Sequence, residues 1–137
     1  MGARERCIGG QLAGGREMPE KLEIEVVDDI VRVSVSGMFS LANAKVFFEE
    51  ILRRAREAEV DKILIDARGI TTEISTLARF EFGSHMAEQH PSGIKIAIVG
   101  SKQAVWPDRF MENVSRNRGV DAKVVTEVEE ALEWLAE

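Results

Sequence analysis

The densest run of reactive side chain types lies in IDARGITTEISTLARFEFG, residues 65–83, where Asp66 is followed by Thr71, Thr72, Ser75 and Thr76. Three chemistries fit such a run. A hydroxyl could act as a nucleophile with Asp66 as its base, but that needs an adjacent base and a third group to orient it. No histidine stands beside Asp66, so the carboxylate reads as a loop cap and not as a catalytic group. Ser75 or Thr76 could accept a phosphoryl group, and a phosphate there would suit the positive end of a following helix. The plainest role for these two hydroxyls is to cap that helix by accepting from an orphan backbone N–H.

Metal chemistry is less well supported. His85 and His90 are five residues apart, so on a helix their directions differ by about 140°, unlike the i,i+4 pair of a zinc-binding helix. Glu81, His85 and Glu88 share a face that reads as a solvated stripe, and no metal or cofactor is expected. Cys7 is the single cysteine and cannot form an internal disulfide. A different set of residues offers apolar recognition. Met38 and Phe39, with Trp106, could rim an apolar pocket, and Phe80, Phe82 and Met86 lie on one helical segment. Phe80 lies near Leu77, and Phe82 near Ala78 and Met86, on different sides of that helix. One side must pack on a sheet and the other can meet a partner. Trp106 also fits a core position.

These residues belong to a chain of 137 residues with 45% hydrophobic and 31% charged side chains, the composition of one ordinary globular domain. The formal charge of −6 argues against nucleic acid or an anionic membrane as partner. The basic groups Arg53, Arg54, Arg56 and Arg109, Arg116, Arg118 read as solvated faces. No apolar run approaches the roughly 20 residues of a membrane span. The N-terminal stretch has arginines but no apolar segment of a secretory signal, so a cytoplasmic location is expected. Residues 1–19 are glycine-rich and aperiodic and are expected to form a disordered tail, leaving 20–137 as the domain.

The positioning elements follow from periodicity. Leu22, Ile24 and Val26 alternate with polar residues, as do Val31, Val33 and Val35, and Asp28-Asp29 links the two as a hairpin. Ser40 fits an N-cap, and Leu41, Ala44, Phe48, Ile51, Leu52 and Ala55 form the stripe of an amphipathic helix with Glu49–Arg53 and Glu50–Arg54 on its outer side. Ile63–Ile65 reads as a strand, 75–89 as a helix ended by Pro91, and 94–99 as a buried strand. A helix entered at Pro107, burying Trp106, Phe110 and Val114, ends at Gly119. A strand over 122–125 and a helix lined by Val128, Ala131, Leu132 and Leu135 close the chain. The order ββαβαβαβα predicts a single α/β domain, a mostly parallel sheet with an antiparallel N-terminal edge strand. Ligands of such sheets gather beyond the carboxyl ends of the strands.

From about Lys21 to Leu135 the chain resembles the SpoIIAA-like branch of the STAS domains, the anti-sigma-factor-antagonist fold. The resemblance is carried by VSVSGMFSLANAKVFFEEIL, ILIDARGITTEISTLARFEFG, IKIAIVGSKQ and RFMENVSRNRGVDAKVV, in that order. In such antagonists the strand–loop–helix segment carries an Asp-Ser-Ser-Gly type motif whose first serine is phosphorylated. Here Ile74, Ser75, Thr76 and Leu77 fall on that motif, so its hydroxyls are present and its acid and glycine are not; Ser40 stands where an Asp is usual. The resemblance implies a non-catalytic regulatory domain that binds a partner protein through its loop edge. Because SpoIIAA-like domains resemble lipid-binding folds, it implies as an alternative a carrier or sensor of a small lipophilic ligand. An enzyme using Asp66 with Thr71, Thr72 or Ser75 ranks third, and the choice between monomer and homodimer stays open.

Overall fold

The computed structural model describes residues 4–6, 21–38, 40–71, 74–89, 91–101, 113, 116 and 118–137. Strand β2 (Lys21–Val27) and strand β3 (Ile30–Gly37) form the hairpin, with Val27 opposite Ile30. Asp28 takes the left-handed conformation at its turn, φ 57°, which aspartate tolerates better than most side chains. Helix α1 (Leu41–Ala58) leads to strand β4 (Lys62–Ile70), and helix α2 (Thr76–Glu88) leads to strand β5 (Lys95–Val99). Strand β6 (Asp121–Val125) and helix α3 (Val128–Ala136) follow. Strands β2 to β6 lie in chain order, β2–β3 antiparallel and the later neighbours parallel. The fold is the expected mixed α/β one.

Strand β1 (Arg4–Arg6) falls inside the stretch expected to be a tail and pairs antiparallel with β2, Arg4 opposite Glu25 and Arg6 opposite Glu23. It gives β2 a neighbour on its outer side, so β2 is not the edge strand. The helix expected from Pro107, with Trp106, Phe110 and Val114, lies outside the described residues. Gly119 takes a positive φ of 93° and its N–H donates to the Arg116 carbonyl.

Side chains alternate across the sheet with period two, so its faces carry separate cores. On one face Ile24, Val33, Ile63, Ile65, Ile96, Ile98 and Val124 pack with Phe47, Phe48, Ile51 and Leu52 of α1 and Met86 of α2. On the other, Leu64, Ala97, Val99 and Val125 pack under Ala131 and Leu135 of α3. Each large apolar side chain fully buried in these cores contributes on the order of 1.5–3 kcal/mol. The last turn of α3 holds no basic residue; Lys95 serves instead, its Nζ donating to the Trp134 and Glu137 carbonyls at 2.9 and 3.2 Å and lying over the Trp134 ring.

Of the expected outer pairs of α1, Glu50–Arg54 forms and Glu49–Arg53 is replaced by other partners. Arg53 bonds Glu50 and Glu57, Arg54 bonds Glu50, and Glu49 faces His85 of α2. Strand β4 also runs further than Ile63–Ile65, through Asp66 to Ile70, so the segment expected to be a loop begins as strand. Between Ser34–Asp66 and Ser36–Gly69 the register shifts by one residue, a bulge on β4. Gly69 permits this close approach, since a Cβ there would lie 2.7 Å from the Ser36 Cβ.

Candidate functional site

The strand ends are stitched together before α2 begins. Thr71 donates to the Gly37 carbonyl through both its backbone N–H, at 2.9 Å, and its Oγ1, at 3.2 Å. Thr71 is thereby a structural residue at the end of β4. Ser75 is the N-cap of α2: its extended backbone turns the hydroxyl onto the Ala78 N–H at 3.0 Å. Ser40 caps α1 in the same manner through the Asn43 N–H at 3.3 Å. Ser75 and Thr76 are both exposed.

Asp66 is carried away from these hydroxyls. It shares with Leu64 the face opposite α1 and α2, because Ile65 between them belongs to the helix-covered core. There it forms a two-point ion pair with the neighbouring Arg68, Nε to Oδ1 at 2.9 Å and Nη2 to Oδ2 at 2.8 Å. The side-chain bonds from Arg68 hold its carboxyl below the ordinary range against the opposing effect of partial burial; the Arg68 backbone N–H and the charges of Arg68 and Arg32 add to the lowering. Asp66 thus caps the Arg68 backbone N–H, at 3.1 Å, within β4 and not in a loop, and on this face it is not placed to activate Ser75.

Helix α2 divides its apolar residues between two directions. Phe82 meets Phe48 edge to face with ring centres 5.9 Å apart, and Met86 has 0% exposure. Met86 is thus core and no part of an outer surface. Leu77 is 65% exposed and Phe80 37%, with the Arg118 guanidinium 5.6 Å above the Phe80 ring. Met38, at the end of β3, is 43% exposed. Phe39, Thr72, His90 and Trp106 lie outside the described residues. His85 does not join a solvated stripe: it is buried against α1 beside Phe48, and its Nε2 sits 3.3 Å from Glu49 Oε2 without the alignment of a hydrogen bond. Among the described residues no group of three or more metal-ligating side chains converges.

Between α1, α2 and the carboxyl ends of β3, β4 and β5 lies a cavity of about 100 Å³. Its walls are apolar, with Val35, Phe47, Phe82 and Ile98 among them, and three alanines, Ala44, Ala67 and Ala78, leave the space that larger side chains would fill. Among the described residues one charged side chain lines it, Arg79, which is only 9% exposed and donates from its guanidinium to the Ile74 carbonyl. Of the residues expected to form a site, Phe82 alone among the described ones lines this cavity. Arg79 and Ala67 escaped the sequence reading, and Ala44 and Ala78 were read only as helix-face positions. The stripe Ala78, Phe82, Met86 was visible, but nothing in helical spacing shows that the arginine beside it turns inward.

A sheet laid down in chain order, with two capped helices over one face and a C-terminal helix over the other, defines an α/β domain of the kind found in anti-sigma factor antagonists. The family model described as SpoIIAA-like matches residues 30–136, and the chain belongs to that family. Among solved structures it is similar to the crystal structure of an anti-sigma factor antagonist from Mycobacterium paratuberculosis, with a TM-score of 0.63 over 86% of this chain and 95% of that one. The sequences are 14% identical, so this likeness speaks for the fold. No curated sequence matches the chain. Among the described residues no helix is long and apolar enough to cross a membrane.

Proposed function

We propose that the protein is a non-catalytic, cytoplasmic regulatory module, one domain over residues 20–137, that binds a partner protein through the edge where α2 begins. The observation that carries this reading is the exposure of two large apolar side chains, Leu77 and Phe80, on the first turns of a helix that starts at that edge. Exposed apolar groups of this size, rimmed by polar residues, are typical of recognition surfaces. Membership of the SpoIIAA-like family and the fold shared with an anti-sigma factor antagonist support a regulatory role. The hydroxyls of Ser75 and Thr76 lie beside this surface, and phosphorylation of either would set a dianion at the positive end of α2 and change what can dock there. The test is affinity capture from the native host with the wild type and with Leu77→Glu and Phe80→Glu. A partner held by the wild type and lost by both variants is the expected result; capture indifferent to both would overturn the reading.

The cavity favours a second reading, a carrier or sensor of a small lipophilic molecule. Its apolar lining at the carboxyl ends of the strands is the setting in which sheets of this type hold ligands. Native mass spectrometry of gently purified protein tests it, since a retained lipophilic mass is expected and a bare mass counts against it.

A further inference from the structure

We propose that the cavity under α2 takes up a small neutral hydrocarbon-like molecule, one without a polar head, and that its occupancy steadies the first turn of α2. The inference rests on the second reading above and names the chemical class of the ligand and the part of the fold it acts on. The volume sets the size. An apolar cavity of roughly 150 Å³ binds benzene, so one of about 100 Å³ suits a compact molecule of up to about six carbon atoms and leaves no room for a fatty chain.

The walls set the polarity. Phe47, Phe48 and Phe82 present hydrocarbon from both helices, with Ile65 and Ile98 below them on the sheet. Arg79 is the charged side chain among the described lining residues, and it is already engaged within the protein, at the Ile74 carbonyl and beyond it. A hydroxyl or carboxylate entering this space would have to displace such a contact or go without a partner, and either weakens binding by about tenfold. A hydrocarbon asks for neither. It also returns contacts that the empty cavity forfeits, because atoms lining a void have no neighbours on one side.

Two lining residues link this site to the partner surface. Ile74 and Ala78 both line the cavity and bracket the Ser75 cap, whose hydroxyl accepts from the Ala78 N–H at 3.0 Å. A ligand touching them braces that capped turn from within, while Leu77 and Phe80 stand exposed on the same turns. Ligand and partner are then coupled through one helix start, each favouring the ordered turn.

The test adds benzene, cyclopentane, phenol, benzoate and butylbenzene in turn to the full chain and follows amide chemical shifts. Saturable binding of benzene and cyclopentane is expected, with the largest shifts at Ser75 to Phe82. Phenol and benzoate should bind about tenfold more weakly than benzene, and butylbenzene should also bind more weakly, for want of space. Phe82→Ala enlarges the cavity and should reverse that last order, so that butylbenzene binds the variant more tightly than benzene. Ala44→Met fills the cavity from α1 and should abolish binding of every compound. If phenol or benzoate matches benzene on the wild type, or butylbenzene exceeds it, the class named here is wrong while the lipophilic reading stands. If no compound, butylbenzene included, binds the folded protein, both are wrong. Binding of benzene without shifts at Ser75 to Phe80 overturns the link to the partner surface. The comparisons on the wild type decide the matter even if either variant fails to fold.

Discussion

Helices α1 and α2 both start on a serine whose hydroxyl accepts from the backbone N–H three residues on, and both lie over the same face of the sheet. Helix α1 sorts its residues more fully, with Val46 left exposed. Phe47, Phe48, Ile51, Leu52 and Ala55 are buried, while Glu50, Arg53 and Glu57 pair outside. In α2 the order breaks down: Arg79 and His85 are buried, Leu77 and Phe80 are exposed, and a cavity remains beneath Phe82. A helix that serves only to close a core is expected to resemble α1, in which most local preferences agree with the fold, exposed Val46 apart. Both proposed functions draw on these departures in α2.

The contrast is sharpest in the two phenylalanines that meet edge to face. Phe48→Ala is expected to cost about 3–5 kcal/mol, since the side chain is fully buried. Phe82→Ala is expected to cost only about 2 kcal/mol, because its side chain is half-buried; both border the cavity. Urea melts of both variants measure the difference, and equal costs would mean that α2 is packed as tightly as α1. The caps provide the control. Ser40→Ala and Ser75→Ala should each lower stability by about 1 kcal/mol, and to a similar degree. A much smaller cost at Ser75 would show that its hydroxyl is held ready for something other than the helix.

Outside the core the expected effects shrink. Leu77→Ser should leave stability within about 0.5 kcal/mol of the wild type, because it touches no buried feature, yet weaken capture of the partner. Asp66 gives the smallest effect and one confined to acid. Its folded carboxyl titrates below the ordinary range, so its stabilisation is present above the unfolded value and is lost as the pH falls through the folded one. Asp66→Asn should be slightly less stable at neutral pH, and the two melting curves should converge as the wild type is protonated. A variant that differs from the wild type equally at every pH would show that the Arg68 pair is not the source.

Much of the framework could be read from the sequence, because α1, β5 and β6 each combine a clean period with a recognisable end. Ser40, Gly119 and the alternation through Val31, Val33 and Val35 carried unambiguous local physics. Strand β4 was harder. Its second half, Asp66 to Ile70, is polar because the far face of the sheet is only partly covered there, so apolar run length understated the strand. The candidate site was least legible. Whether Arg79 points in or out, or whether three alanines converge on one void, depends on how α1 and α2 sit together, which no local pattern encodes. His85 shows the same limit, since Glu81 and Glu88 suggest an outer stripe and only packing against Phe48 places the ring inside.

The order of the strands bears on how the chain reaches this state. Each of β2 to β6 lies beside the strand before it, so the nucleus of one hairpin can grow by adding a single crossover unit at a time. No strand waits for a neighbour from the far end of the sequence, and loop closure stays inexpensive at each step. Synthesis from the N-terminus therefore releases the units in the sequence in which they dock, and at every stage a nascent chain leaves one growing sheet edge exposed for the next strand.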